Sequence, residues 1–387
     1  MSRPKKPTLG HWLEYFAYRS VEQLLRLLSL ETTFRLGEFV GTLVYQLFPG
    51  QRVTVIRNLR FAYGNELTGE EIEDLTARIF ARTGANLFCS VRVPFSSDQE
   101  IEGIVEFEQL KEQLNDEDAQ GVVAVSPHMG NWELLAQATL ISEGTREVGT
   151  HYRPLNNPLV NRLVERRRKK RGLKLFAKRS SGHAMAAFVK KGGFLGVLAD
   201  QRVGGRGAAG IFFGRPTTCS PLPELMARRG NGRLAILVCK TTGIARWRIT
   251  VTLIEERTTQ GCATSLENAW RTSPEDVFWF EERWRLKGKD PLTFLAKYPT
   301  GHRASRPLRL VNLAPQEVEP PTFQPGLVSC ENQAIALEQN DSLVRHELLR
   351  ISAEGETPVD IFVVPDAQHG KLARLAGKTL VIPGGEP

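Results

Sequence analysis

Hydrophobic positions change period along the chain. Between residues 9 and 48 they recur every three or four residues: Leu9, Trp12, Leu13, Phe16, Val21, Leu24, Leu25, Leu27 and Leu28, with Arg19 and Arg26 among them. Leu36, Phe39, Val40, Leu43, Val44 and Leu47 follow, with small Gly37 and Gly41, and the run ends at Pro49-Gly50. This spacing predicts a hairpin of two amphipathic helices. A longer helix is expected from about Thr68 to Val91. Gly69-Glu70-Glu71 places acid in its first turn, and Ile72, Leu75, Ile79, Phe80 and Leu87 form one apolar face. A short helix is expected over Leu110 to Asp118.

From residue 121 short apolar runs alternate with helical stretches. Val122 to Val125 suits a buried parallel strand, and Pro127, which has no N–H, ends it. Asn131 then reads as a helix N-cap before Trp132, Leu134, Leu135 and Ala138. Further strands are expected at 148–152, 173–176, 196–199, 233–240 and 246–254, and helices at about 159–171, 182–191, 221–229 and 264–271. The alternation predicts an α/β fold with a mostly parallel central sheet flanked by helices. Four prolines between Asn312 and Pro325 mark a linker. Beyond it, strand-like runs at 327–330, 334–337, 348–351, 359–364 and 380–382 predict a small β-rich C-terminal appendage. The expected organisation is an N-terminal helical pair (1–50), a core (51–311), a Pro-rich linker (312–325) and the appendage (326–387).

Composition narrows this picture. The 387 residues are 41% hydrophobic and 24% charged, which fits a globular chain with a large core. Lys and Arg number 51 against 43 Asp and Glu, a net charge of +8. That suits an anionic partner: a lipid surface, a phosphorylated substrate, an acidic carrier protein or nucleic acid. Nucleic acid is disfavoured, because no aromatic residues interleave the cations of the basic stretch 162–171 to act as stacking platforms. That stretch is either a solvated helix face or a docking surface for an acidic carrier or anionic membrane. The five dispersed cysteines contain no CxxC and fit a reducing compartment, each as a small core residue. The N-terminus lacks a signal-peptide pattern, and no uncharged apolar run of ~18 residues predicts an ordinary membrane-spanning helix. The hairpin of residues 9–48, preceded by Arg3, Lys5 and Lys6, either lies in a membrane interface or packs on the core.

Two ionisable groups, His128 and Glu133, sit at the turn after the 122–125 strand, where open α/β sheets build their sites. Five residues apart on one helix they would point away from each other. They meet only if His128 lies on the turn and Glu133 in the first helical turn. Glu133 would then hold one imidazole nitrogen and leave the other as a base toward a hydroxyl attacking an acyl carbonyl. On these residues alone a satisfied polar pair is the simpler reading. No third ligand at zinc-hydrolase spacing accompanies them, and no GxSxG elbow is present.

The string Ser126-Pro127-His128-Met129-Gly130-Asn131-Trp132-Glu133-Leu134 resembles the His-four-residues-acid motif of glycerolipid and lysophospholipid acyltransferases. It is most similar to the bacterial branch that adds secondary lauroyl or myristoyl chains in lipid A biosynthesis, together with phosphatidylinositol mannoside acyltransferases. Three later blocks match that branch in order: Tyr152-Arg153-Pro154, then Asp200-Gln201 with Phe212-Phe213-Gly214, then Ser273-Pro274-Glu275-Asp276 through Arg283-Trp284. The likeness covers about residues 10–290. The family's closing block usually has a His near its Trp and Arg, whereas here Glu281-Glu282 stand before Arg283, and residues 326–387 lie beyond the family's usual extent.

The resemblance implies an acyltransferase with His128 as general base and Glu133 orienting and charge-compensating it. The acyl donor would be a thioester of acyl carrier protein or coenzyme A, and the acceptor a hydroxyl of a lipid A precursor or related glycolipid. No metal or bound cofactor is implied. Asn131 joins the substrate side. Arg153 would bind a phosphate or fix its loop by an ion pair. Asp200 would pair with Arg153 or another loop cation, or touch substrate. Arg206, in the Gly204–Gly210 loop, would help wrap a phosphate or lie in a flexible loop. Trp132 and Trp279 read as core. The expected location is the cytoplasmic face of the bacterial inner membrane. An acyl-thioester hydrolase using water as acceptor, and a non-catalytic membrane-binding protein, are the rival readings.

Overall fold

The computed structural model describes residues 6–108, 120–140, 146–170, 172–177, 182–204, 206–287 and 292–385. The expected helix Leu110–Asp118, together with Arg3, Lys5, Arg171 and Gly205, lies outside the described residues. The chain opens with helices α1 (Leu9–Arg26), α2 (Leu30–Leu47), α3 (Pro49–Tyr63), α4 (Gly69–Arg92) and α5 (Asp98–Ile104), then strands β1 (Val105–Glu108) and β2 (Val122–Ser126). A 3-10 segment (Trp132–Leu140) leads to β3 (Val148–Tyr152), α6 (Pro158–Lys170), β4 (Lys174–Ala177), α7 (Gly182–Lys190) and β5 (Phe194–Leu198). Next come β6 (Ala208–Phe212), β7 (Arg215–Cys219), α8 (Leu222–Gly230), β8 (Arg233–Gly243), β9 (Arg246–Leu253) and α9 (Thr259–Thr272). The last elements are β10 (Leu308–Asn312), β11 (Val328–Asn332), α10 (Asp341–Glu354), β12 (Ile361–Val364), α11 (Asp366–Leu375) and β13 (Leu380–Pro383).

These elements form two compact units. The first comprises Met1–Pro49, Leu75–Asp200 and Pro221–Phe278. Its seven-stranded sheet has the order β1-β9-β8-β2-β5-β3-β4, and every neighbouring pair is parallel except β8 with β9. This is the mostly parallel sheet that the alternation predicts. β2 is central and buried along its whole length, which is why its apolar run is unbroken rather than alternating. Ala124, Leu134, Phe194, Leu237, Trp247 and Ile249 belong to the core around it.

The N-terminal hairpin packs into this unit. α2 turns Leu30, Thr33, Phe34, Gly37 and Gly41 inward. A Cβ added at Gly41 would lie 2.1 Å from the Phe80 carbonyl oxygen, and one at Gly84 would lie 2.2 Å from the Gly37 carbonyl oxygen, so α2 and α4 meet backbone to backbone. α1 buries Leu25 and is also attached by polar contacts. Its buried Glu22 binds Arg19 at 2.7 Å and Arg167 at 2.5 Å, and Asn157 donates to the His11 carbonyl at 2.8 Å. The same helix leaves Leu9, Leu13, Phe16 and Leu24 exposed, and Leu27 just after it is exposed too. Among the described residues, no helix is long and apolar enough to cross a membrane.

The second unit comprises Gly50–Asp74, Gln201–Ser220 and Trp279–Pro387. Helix α3 is absent from the hydrophobic pattern because its polar side chains face inward. Arg57 donates to the Val359 carbonyl at 2.9 Å, Asn58 to those of Trp279 and Glu281 at 2.7 Å, and Arg60 to that of Ala353 at 2.9 Å. Burial pulls the Arg57 pKa down to about 10. β6 and β7 form an antiparallel hairpin turned by Phe213 and Gly214, both at positive φ. The C-terminal residues build a four-stranded sheet of order β11-β10-β12-β13, parallel throughout.

The small C-terminal sheet is therefore present, with two differences in its elements. The run 348–351 lies in α10, where Val344, Leu348 and Ile351 are buried at helical spacing behind an Asn340 N-cap. Residues 334–337 form no strand. The Pro-containing stretch 312–325 joins β10 to its neighbour β11 and buries Leu313, Ala314 and Val318. At the centre of the unit Arg215 and Asp360 pair at 2.6 Å, both buried.

Gly84→Ala is expected to cost about 1–3 kcal/mol, because overpacking forces backbone to move. Denaturant unfolding measures it, and a loss below about 0.5 kcal/mol, the range of ordinary surface changes, would show that α2 and α4 have slack between them.

Candidate active site

β2 ends at Ser126, and the chain turns through Pro127 to His128. Its parallel neighbour β5 ends at Leu198, and Ala199 extends the pairing by donating to the Ser126 carbonyl at 3.1 Å. Asp200 therefore arrives beside His128 at the C-terminal edge of two adjacent parallel strands. Its carboxylate holds the histidine twice. One oxygen lies 2.7 Å from imidazole Nδ1, and the other accepts the His128 main-chain N–H at 2.7 Å. Asp200 is buried, whereas the His128 side chain keeps 19% of its surface exposed, enough for a reactant to reach it.

Asp200 thus occupies the place that the sequence reading gives to Glu133. The partner of Asp200 is His128 rather than Arg153 or another loop cation. Glu133 stands at the start of the 3-10 segment, and its carboxylate is bound by Arg168 of α6 at 2.5 and 3.3 Å. The next cation along, Arg167, reaches α1 through Glu22 and donates to the Tyr18 hydroxyl at 3.3 Å. Two cations of the basic helix are therefore committed to ion pairs, while Arg162, Arg166 and Lys169 are exposed on one face at helical spacing.

Asn131 does not cap a helix with its side chain. Its carboxamide is buried with no hydrogen-bond partner among the described residues, and its main-chain carbonyl accepts from Leu134 N–H at 2.9 Å and from the Cys239 thiol at 3.5 Å. The segment opens with that i to i+3 bond, as a 3-10 helix. Trp132 is half-buried rather than core. Its ring meets the imidazole edge-on at 5.4 Å and Phe278 at 5.8 Å. Trp279 is buried in the second unit with Tyr63 and Phe213, as its core reading anticipates. Four cysteines are buried and Cys330 is exposed on β11.

The turn is gripped from a distant stretch of sequence. Gly130 N–H donates to the Asp276 carbonyl and Phe278 N–H to the His128 carbonyl, both at 2.9 Å, and Met129 bridges Val277 antiparallel. The closing sequence block is thus a neighbour of the His128 turn. Residue spacing gave no sign of this, because about 150 residues separate the two. The Asp200 block divides: Asp200 meets His128, while its aromatic pair belongs to the second unit. Phe212 and Phe213 pack with Trp284 in the second unit, where Arg283 donates to the Thr217 hydroxyl at 2.8 Å. Arg153 is exposed after β3 and forms no ion pair among the described residues. Arg206 is exposed in the second unit before β6. Among the described residues, no three His, Cys, Asp or Glu side chains gather as a metal site.

Gly130 has φ +57°, and a Cβ there would lie 2.4 Å from the Cys239 carbonyl oxygen. Gly130→Ala is expected to destabilise the protein by about 1–3 kcal/mol and to move the His128 imidazole resonance. Thermal melting and histidine NMR check both effects.

A histidine oriented by a buried carboxylate at a strand edge is equipped to take a proton from a hydroxyl. Comparison with curated proteins found no match. The family model for bacterial lipid A biosynthesis acyltransferases matches residues 3–286, a span that includes the β2 turn, the segment gripping that turn, and Asp200. The chain belongs to the bacterial lipid A biosynthesis acyltransferase family and is an acyltransferase.

Proposed function

We propose that the chain moves a fatty acyl group from a thioester of acyl carrier protein, or of coenzyme A, to a hydroxyl of a lipid A precursor or related glycolipid. The observation that carries this reading is the His128–Asp200 pair at 2.7 Å. With Nδ1 turned to the carboxylate, Nε2 takes the proton of the acceptor hydroxyl. The oxygen attacks the thioester carbonyl, an ester C–O bond forms, the C–S bond breaks, and the departing thiolate recovers the proton from Nε2. Asp200 stabilises the imidazolium formed on the way. Glu133, its charge shared with Arg168, adds to that compensation. The reaction needs no metal or bound cofactor.

Substrate contacts complete the proposal. Asn131, whose buried carboxamide has no partner among the described residues, is assigned to the substrate side. Arg153 and Arg206 are assigned to phosphates, which guanidinium groups bind through paired hydrogen bonds. The face carrying Arg162, Arg166 and Lys169 fits an acidic carrier protein. The exposed apolar residues of α1 fit the anionic surface of the cytoplasmic side of the bacterial inner membrane, with the helix lying in the interface.

Purified protein incubated with labelled acyl carrier thioester and a lipid A precursor tests the reading by mass spectrometry. Acylated lipid is the expected product, and free fatty acid in the presence of acceptor would establish the hydrolase instead. Asp200→Asn is expected to lower kcat by about 10³-fold or more, and Glu133→Gln by about tenfold. The reverse ranking would return the orienting role to Glu133. Leu13→Ser combined with Phe16→Ser is expected to weaken binding to anionic vesicles at least about tenfold, since burying one large apolar side chain contributes about 1.5–3 kcal/mol. Unchanged co-sedimentation would remove α1 from membrane contact.

A further inference from the structure

The segment holds the His128 turn by main-chain hydrogen bonds, so the segment must itself be fixed in place. The Asp276 side chain is placed to do this. It is 4% exposed, and its two oxygens meet donors from three elements. Oδ1 accepts from the Thr241 hydroxyl at 2.6 Å and from Asn86 Nδ2 at 3.3 Å. Oδ2 accepts from Thr241 N–H at 2.9 Å and from the Ser273 hydroxyl at 3.0 Å. Arg82 stands 3.8 Å away, and Asn86 is itself held by Trp247 Nε1 at 2.8 Å. Burial raises the Asp276 pKa, opposed by the bonds from Thr241, by Arg82 and by Ser273. A carboxylate taken out of water is costly unless its hydrogen bonds are met, and here they are met by residues of α4, β8 and its own loop.

The same residue delivers its carbonyl to Gly130, two positions past the histidine. The carboxylate and the carbonyl of Asp276 thus link the rigid β8 and α4 framework to the His128 turn. Asp200 fixes the imidazole and its N–H, and the Asp276 segment fixes the His128 carbonyl and Gly130. We propose that Asp276 is a positioning residue for His128, setting the height and rotation of its turn without touching substrate. The inference rests on His128 being the base.

Asp276→Asn places an amide among donors, and Thr241→Val removes the 2.6 Å hydroxyl bond while keeping the strand's shape. Both are tested in the full chain for acyl-transfer kinetics and for the imidazole signal of His128. That signal is recognised among the seven histidines by its loss in His128→Gln. The expected result is a kcat about tenfold to a hundredfold lower, a KM within about twofold of wild type, and a displaced His128 titration midpoint in folded protein. An unchanged kcat and resonance in either folded variant overturns the proposal. Failure of both variants to fold overturns it as well, because the carboxylate would then hold the fold rather than the turn. If the wild-type protein transfers no acyl chain, a displaced resonance still supports the positioning role while the assigned reaction fails.

Discussion

Two oxygens of one buried carboxylate settle where the His128 imidazole sits. Asp200 binds both the ring and the backbone of His128, so rotation of the side chain and displacement of the turn each break a hydrogen bond. A pair of this kind needs two chain segments delivered to the same point with little freedom. Adjacent parallel strands provide that, because β2 and β5 are locked in register by their ladder and both end at the same edge. The sheet order, with β2 and β5 side by side near its middle, is therefore a condition for the site.

Buried charge recurs through the molecule, and each case joins elements distant in sequence. Glu22 ties α1 to α6, Asp276 ties the loop after α9 to β8 and α4, and Asp360 ties the C-terminal sheet to the β6–β7 hairpin. Removing one partner of such a pair strands the other in a poorly solvating interior, at about 3–5 kcal/mol. Apolar packing alone would tolerate sliding between these elements, whereas hydrogen-bonded ions do not. α6 holds two ion pairs on consecutive residues: Arg167 reaches the buried Glu22 of α1 and Arg168 reaches the half-buried Glu133, so the N-terminal helix and the His128 turn share one support.

Regular elements were legible wherever burial followed local period. β2, β3, β5, β8 and β9 read as short apolar runs, and α2, α4 and α7 as apolar stripes. α3 was not legible, because Arg57, Asn58 and Arg60 point inward to main-chain carbonyls and erase the usual polar and apolar contrast. The 348–351 run misled in the opposite way: its apolar residues are too few to show a period until Val344, four positions earlier, is seen to share their buried face. Asn131 had the residue type of an N-cap, yet its carboxamide is buried away from the segment's first N–H groups.

By itself the sequence determined the α/β class, the mostly parallel sheet, the turn that follows the 122–125 strand and, through four ordered blocks, the family. These follow from hydrophobic period and residue identity, which act over a few residues. Only the tertiary structure decided which carboxylate faces Nδ1, that Glu133 belongs to Arg168, that the closing block splits between clamping His128 and building the second unit, and that Trp132 lies against the imidazole. Each depends on which strands become neighbours. Strand pairing is chosen by burial of the whole sheet, so no local stretch of residues carries that information.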